Sequence, residues 1–362
     1  MKNDNIKLIV LNSANEFGNK VNEYLKKIRK NKKDYIIPIT NSRFSNGEGK
    51  IKLEENIRDK DLYIISDVGN YGLTYKIHGN DHIVSPDEHF QDIKRVISAT
   101  NGNANNITII MPLLYQSRQH RRNLRESLDC AIALQELESL GVNRIITFDV
   151  HDANVSNAIP RLPFENIYPT NVIISDLIKK ENILNEELII ISPDFGAMER
   201  AKYYAEVLKS NVGVFYKRRD LTKLVNGKNP VVEHIYIGEN VIDKSVIIVD
   251  DMIASGGSII DSAKKLKDMG AKKIFVITTF LLLTEGENRL IEAYNNNLFT
   301  KLYTTNLSYI PSNIKESNWI EVVDCSNQLA LIINNLNNGE SIEEISYGNK
   351  NLINNIERIK NK

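Results

Sequence analysis

Cysteine is scarce in this 362-residue chain, with Cys130 and Cys325 the two present. Two thiols cannot build a disulfide framework or a zinc centre, so a reducing cytoplasm is the expected setting. Net charge is absent as well, because 46 basic and 46 acidic residues cancel. Bulk electrostatics therefore gives no footprint for nucleic acid or an acidic membrane, and any basic site has to be local. No apolar stretch is long enough to span a bilayer. The opening MKNDNIKLIVLNSANEFG holds too short an apolar run for a signal peptide and shows no small-residue cleavage pattern. Nowhere does G-x-x-x-x-G-K-[ST] occur, which excludes a P-loop mode of nucleotide binding.

What is present is ordinary for a globular protein, with 42% hydrophobic and 25% charged residues, and the length suggests two domains. Apolar runs recur as IKLIVL, DLYIIS, ITIIMPLL, RIITFDV, ELIIIS, VGVFYK, SVIIVD and KIFVITTF, with amphipathic stretches between several of them. That alternation predicts an α/β fold with mostly parallel sheets covered on both faces. A faint internal repeat pairs NITIIMPLL…ESLGVNRIITFDVHD with SVIIVD…KDMGAKKIFVITTF. Gly141 and Gly270 each stand where the residue after a helix C-cap belongs. Chance similarity between two βαβ units would look the same. Two tandem α/β domains are expected, residues 1–165 and 166–345, with a boundary near ENIYPTNVIISDLI. Ala330, Ile333 and Leu336 mark one face of a late helix, and a polar tail, 346–362, is expected to fray.

The stretch SVIIVDDMIASGGSII carries the clearest chemistry. Val246 to Val249 reads as a buried strand, and Ile259, Ile260, Ala263, Leu266 and Met269 recur at helical spacing from about Ser258. Asp250 and Asp251 then fall at the strand's carboxyl end, where open α/β sheets bind ligands. Ser255, Gly256, Gly257 and Ser258 can turn backbone N–H groups toward a phosphate at a helix N-terminus. Two carboxylates would repel that phosphate unless they serve sugar hydroxyls or a divalent cation. A plain alternative has Asp251 and Ser255 capping a turn that the glycines close. The loop SRQHRRNLRES concentrates Arg118, His120, Arg121, Arg122 and Arg125 between a strand and a helix opened by Ser127. That points to a polyanion, or to a solvated charged loop. FSNGE reads by itself as a hairpin turn, with Phe44 an aromatic able to stack on a base. FDVHD ends a strand in Asp149, His151 and Asp152, and YKRRD ends another in Lys217, Arg218 and Arg219. The polar stretch that follows, residues 220–243, is long enough for a mobile flap.

IIVDDMIASGGSII resembles the phosphoribosyl pyrophosphate motif of type I phosphoribosyltransferases and of ribose-phosphate pyrophosphokinases. SRFSNGEGKIKLEENIRDKDLYII, MPLLYQSRQHRR, GVNRIITFDVHD, ISPDFGAMERAKYYAEVL and FYKRRD resemble, in order, conserved blocks of the pyrophosphokinase family, over most of residues 5 to 345. The resemblance implies two tandem type I phosphoribosyltransferase-like domains and transfer of the diphosphoryl group of ATP to ribose 5-phosphate. It implies ATP contacts from Arg118 and Gln119, and from Asn46, Gly47 and Glu48 of a neighbouring subunit, which makes adenine the base for Phe44 to stack on. It implies ribose 5-phosphate contacts from Asp250, Asp251, Ala254, Ser255, Gly256, Gly257 and Ser258. Magnesium falls to His151 and Asp194, and catalysis to Lys217 and Arg219. The assembly implied is a homo-oligomer, dimers built into hexamers.

Three features depart from the family pattern. Ala254 replaces an acid, Asn46 replaces an Asp, and Glu199 stands where a basic residue is common. Extra residues occur around 68–90 and after YKRRD. A catalytically silent family member, or a nucleobase phosphoribosyltransferase, are the competing expectations.

Overall fold

The computed structural model describes residues 5–219 and 231–360. The chain divides into two compact units. The first comprises Met1–Pro169, Asn306–Pro311 and Asp324–Gly348; the second comprises Thr170–Thr305, Ser312–Val323 and Asn349–Lys362. A linear division at 165/166 does not contain this crossing back.

The first unit runs β1 (Ile6–Val10), α1 (Asn15–Arg29), β2 (Ile39–Arg43), β3 (Gly49–Leu53), β4 (Asp61–Ile65), β5 (Thr74–Ile77), β6 (Asn80–Ile83), α2 (Pro86–Thr100), β7 (Asn106–Ile110), α3 (Asp129–Ser139), β8 (Arg144–Phe148) and β9 (Phe164–Ile167). Its main sheet has the order β1-β4-β7-β8-β9, all parallel. A parallel bridge from Leu8 to Ile36 extends it on the far side of β1. The strands are near-continuous apolar runs because both faces are covered. α2 and α3 bury Phe90, Ile93, Val96, Leu134 and Leu137 in one cluster with Ile9, Ile64 and Ile109. α1 lies outside that cluster and packs on β1. β2–β3 and β5–β6 are separate antiparallel hairpins. The second of these occupies the extra residues noted around 68–90.

The second unit runs α4 (Thr170–Lys180), β10 (Leu188–Ser192), α5 (Met198–Leu208), β11 (Asn211–Arg219), β12 (Val231–Ile237), β13 (Ser245–Ile253), α6 (Gly257–Asp268), β14 (Lys273–Leu281), α7 (Asn288–Asn295), β15 (Lys301–Thr305), α8 (Ser312–Lys315) and β16 (Ile320–Val323). The sheet order is β12-β11-β10-β13-β14-β15-β16, parallel except for β12. α5 packs Ala201, Tyr204 and Leu208 in a cluster with Ile190, Ile247 and Val249, whereas α6 lies outside that cluster against β13 and β14.

The chain then returns to the first unit with α9 (Ser326–Asn338) and α10 (Glu343–Ser346). α9 is the expected late helix, and it packs along α1. Arg29 fastens it, donating to Asn334 Oδ1 at 3.1 Å and Asn337 Oδ1 at 2.8 Å. The expectation that the tail frays is corrected. Lys350–Lys360 forms α11, because Leu352 and Ile356, one helical turn apart, bury in the same cluster as α5.

The repeat is present in the topology, but one strand away from where the sequence suggested it. With the Ile36 bridge counted and antiparallel β12 set aside, both sheets read 2-1-3-4-5-6 in order of appearance, as Ile36-β1-β4-β7-β8-β9 and as β11-β10-β13-β14-β15-β16. β13 therefore corresponds to β4, not to β7. The misleading signal was real chemistry. Gly141 and Gly270 have φ of 85° and 91° and close the same helix-ending motif. Gly141 N–H donates to Glu138 O and Val142 N–H to Leu137 O; Gly270 N–H donates to Lys267 O and Ala271 N–H to Leu266 O. Any helix that feeds a parallel strand can end this way.

Candidate functional site

In the second unit the helix after β10 and the helix after β13 pack on opposite faces of the sheet. The crevice beyond the carboxyl ends of those two strands is the topological switch point. Every sugar-phosphate residue expected from the sequence falls there. β13 runs on to Ile253, in register with β14 through Asp250↔Thr278 and Ile253↔Leu281. The two acids thus belong to the strand rather than following it, which fixes their backbone. Asp251 N–H donates to Asp250 Oδ1 at 2.9 Å, and Met252 N–H donates to Asp251 Oδ1 at 2.8 Å. Asp251 is buried, at 5% exposure. Burial and then the neighbouring Asp251 carboxylate push the Asp250 carboxyl well above its usual range, and Arg200 opposes them.

Ala254 to Gly256 form the turn between strand and helix. Gly256, the N-cap of α6, has φ 76° and offers the first turn no side-chain acceptor of its own, unlike the usual Ser, Thr or Asp. A Cβ at Gly256 would stand 3.0 Å from Leu290 Cδ2, whereas one at Gly257 would meet nothing nearer than Ser255 Oγ at 4.0 Å. The first glycine is needed for the turn, and the second leaves an open side at the positive helix end. Ala254, in place of an acid, contributes its carbonyl, which accepts from Thr284 N–H at 3.0 Å.

Asp194 follows β10. Its Oδ1 accepts from Gly196 N–H at 2.8 Å and Ala197 N–H at 3.2 Å, so it holds the entry to α5 while remaining exposed. Glu199 faces solvent and pairs with Lys202. Lys217 and Arg219 lie on β11, whose backbone pairs Lys217 with His234 and Arg219 with Val231 across a bulge at Arg218/Arg219. The expected flap is corrected in part. Val231–Ile237 is strand β12, antiparallel to β11, and residues 220–230 lie outside the described residues.

The first unit carries the residues expected to meet ATP. Phe44 to Glu48 turn the β2–β3 hairpin, with Phe44 N–H donating to Glu48 O and Gly47 N–H to Phe44 O. Gly47 has φ 93°. Phe44 is 52% exposed, so its ring is available for stacking. Asn46 braces the turn, accepting from Glu48 N–H at 3.1 Å and donating to Glu48 Oε2 at 3.0 Å. Arg118 and Gln119 are exposed on the loop between β7 and α3; that helix starts at Asp129, two residues past the expected Ser127.

His151 is exposed beyond β8, and its ring lies 5.4 Å from that of His120. His151 and Asp194 fall in different units. Among the described residues, no group of three or more His, Cys, Asp or Glu side chains is arranged to hold a metal ion.

The sequence reading missed Arg200 and Asp67, and it gave Asp152, named at a strand end, no role. Arg200, one turn into α5, faces Asp250 electrostatically. Asp152 gathers the loop residues His120 and Arg121, and its carboxyl is held below the usual range chiefly by the Asn154 N–H. Asp67 follows β4, the counterpart of β13, and is buried at 4% exposure. It accepts from Gly69 N–H at 2.9 Å, Tyr309 N–H at 2.7 Å and the Ser308 hydroxyl at 3.0 Å. Where the second unit leaves an open turn, the first supplies its own anion. Correct alignment of the repeat would have pointed to it.

Residues 6–141 match the family model described as the N-terminal domain of ribose phosphate pyrophosphokinase, and residues 221–347 match the phosphoribosyl synthetase-associated domain. A ribose-phosphate pyrophosphokinase of Haemophilus ducreyi is 29% identical over 343 residues, spanning 93% of this chain and 97% of that protein. Ribose-phosphate pyrophosphokinase 3 of Saccharomyces cerevisiae is 30% identical over 298 residues, 82% of this chain and 85% of that protein. Among solved structures, phosphoribosylpyrophosphate synthetase from Mycobacterium smegmatis matches with a TM-score of 0.74 at 20% identity, covering 92% of this chain and 99% of that one. That likeness establishes the shared fold.

Proposed function

Because the chain belongs to the ribose-phosphate pyrophosphokinase family, we propose that it transfers the β,γ-diphosphoryl group of ATP to the 1-hydroxyl of ribose 5-phosphate. The products are phosphoribosyl pyrophosphate and AMP, the former a precursor for nucleotide biosynthesis. The observation that carries this reading is the second unit's switch point, where a pair of carboxylates with backbone-fixed oxygens adjoins a helix whose N-cap is a glycine.

Ser255 to Ser258 bind the 5-phosphate at the helix N-terminus. Asp250 and Asp251 grip ribose hydroxyls, with one oxygen of each carboxylate already fixed by a backbone N–H. The raised affinity of Asp250 for a proton suits a group that exchanges hydrogen bonds with hydroxyls. Arg118, Gln119 and the Phe44–Glu48 turn bind the nucleotide, the turn reaching it from a neighbouring subunit of a homo-oligomer. The sugar O1 attacks the β-phosphorus. The O1–P bond forms, the bond to the oxygen of the α-phosphate breaks, AMP departs with that oxygen, and the O1 proton passes to water.

Phosphoryl transfer asks for positioning and charge neutralisation rather than covalent catalysis. Lys217 and Arg219 supply positive charge where negative charge develops, an effect worth roughly 2.7–4 kcal/mol for one well-placed donor. Asp194 of the second unit, which is exposed, would offer magnesium a carboxylate oxygen, and His151 of the first unit would meet a magnesium ion through a water of its shell. Magnesium keeps several waters and takes its other ligands from substrate phosphates. When bound it neutralises triphosphate charge.

Among the described residues no helix is long and apolar enough to cross a membrane; a cytoplasmic setting belongs to the proposal. The test is equilibrium binding of ribose 5-phosphate to wild type and to a variant with Asp250→Asn and Asp251→Asn. Affinity for the sugar should fall and nucleotide affinity should hold. Unchanged sugar affinity would refute the site.

A further inference from the structure

The loop between β7 and α3 spans residues 111–128 and concentrates Arg118, His120, Arg121, Arg122 and Arg125. A connection of this length without regular structure needs anchors if it is to present side chains at fixed positions. Its backbone turns on itself through Ser117 N–H to Leu114 O and Gln119 N–H to Gln116 O, and Gln119 O accepts from Cys130 N–H. An anchor from outside the loop comes from Asp152, four residues past the end of β8.

Both oxygens of Asp152 are used. Oδ1 accepts from the backbone N–H and the side-chain amide of Asn154, each at 2.9 Å, which seats the carboxylate at the head of a short helical turn. Oδ2 accepts from Arg121 Nη2 at 3.0 Å and lies 3.3 Å from His120 Nε2. The other ring nitrogen of His120 lies 3.1 Å from Ser117 O. The imidazole is thus held between the loop's own backbone and the carboxylate. His120 and Asp152 have side-chain exposures of 13% each, while Arg121 is 73% exposed. The His120 contact is the less exposed of the two, while the Arg121 pair is open to water and salt. Arg118 and Gln119 lie between Ser117 and His120, the two residues this contact holds.

We propose that Asp152 is a positioning residue for the nucleotide. By clamping His120 and Arg121 it fixes the backbone that presents Arg118 and Gln119 to ATP. It touches no substrate, and it sets aside His120 and Arg121 as structural while Arg118 serves the phosphates. This inference rests on the assignment of Arg118 and Gln119 to ATP.

The test compares Asp152→Asn, Asp152→Glu and Arg118→Ala. Asparagine keeps an oxygen for the Asn154 N–H but removes the charge and turns a donor toward His120 and Arg121. KM for ATP, and the dissociation constant of a non-hydrolysable ATP analogue measured by calorimetry, should rise about tenfold in Asp152→Asn, the size of one charge-assisted contact. KM for ribose 5-phosphate and the thermal midpoint should stay at wild type. Asp152→Glu should recover part of the loss. A rise in ATP KM for Arg118→Ala with none for Asp152→Asn overturns the clamp and leaves the ATP assignment standing. Equal rises in both substrates' KM overturn it as a folding defect. No effect from Arg118→Ala removes the assignment, and the clamp's role with it.

Discussion

Asp67 should make the protein less stable as pH rises from about 4 to about 7. Its carboxyl is buried in the first unit and is pushed up to about 6 by burial, against the pull of the Tyr309 N–H, the Ser308 hydroxyl and the Gly69 N–H. The unfolded chain has the ordinary value of 3.8. Below that value both states bind the proton, and Asp67 carries no penalty. Between the two values the folded state binds more protons than the unfolded one, so stability falls with rising pH. Above about 6 the penalty is complete. A shift of about 2 units at 1.36 kcal/mol each is about 3 kcal/mol. Urea unfolding of wild type and Asp67→Asn across this range checks it. Asparagine adds an offset, because its amide faces three donors, but that offset does not change with pH. The wild-type stability minus the variant's should therefore fall by about 2.5 kcal/mol from pH 4 to pH 7. A flat difference would show that the three hydrogen bonds fully offset the burial, and a rising one would reverse the reasoning.

Further outcomes follow from the second unit. Asp250→Asn should raise the thermal midpoint, since it removes a half-buried carboxyl set against Asp251, while lowering turnover; a lower midpoint in calorimetry would contradict the account of the pair. Lys217→Ala should cut kcat and kcat/KM together by about 10²–10³ with both KM values little changed; a raised ATP KM at full kcat would make Lys217 an ordinary phosphate clamp. Gly256→Val should destabilise the second unit by about 1–3 kcal/mol, from a positive φ and the contact with Leu290; a neutral result in urea unfolding would mean that the turn refolds around it.

The sequence showed most plainly where burial on both faces forces a continuous apolar run. IKLIV, DLYII, NITII, RIITF, LIIIS and SVIIV all became parallel strands. It showed least where a strand is short and mixed, as in FENI of β9 and IEVV of β16, or forms a polar hairpin, as in β5–β6. The sugar-phosphate site was legible because its acids, glycines and helix start lie within one stretch. The surroundings of that site were not, since Arg200 meets Asp250 only once α5 packs beside β13. Asp67 was hidden for a related reason. Its partners Ser308 and Tyr309 lie far along the chain, and the matching helix ends at Gly141 and Gly270 drew the repeat out of register.

The central claim concerns which phosphorus is attacked. The measurement that tests it most directly supplies the protein with ATP labelled at the β-phosphorus, ribose 5-phosphate and magnesium, and follows the products by chromatography. The account requires unlabelled AMP and a labelled sugar product in equal amounts. Labelled ADP would mean that only the γ-phosphoryl group moves, and an absence of turnover would mean a chain that keeps the family's fold without its reaction.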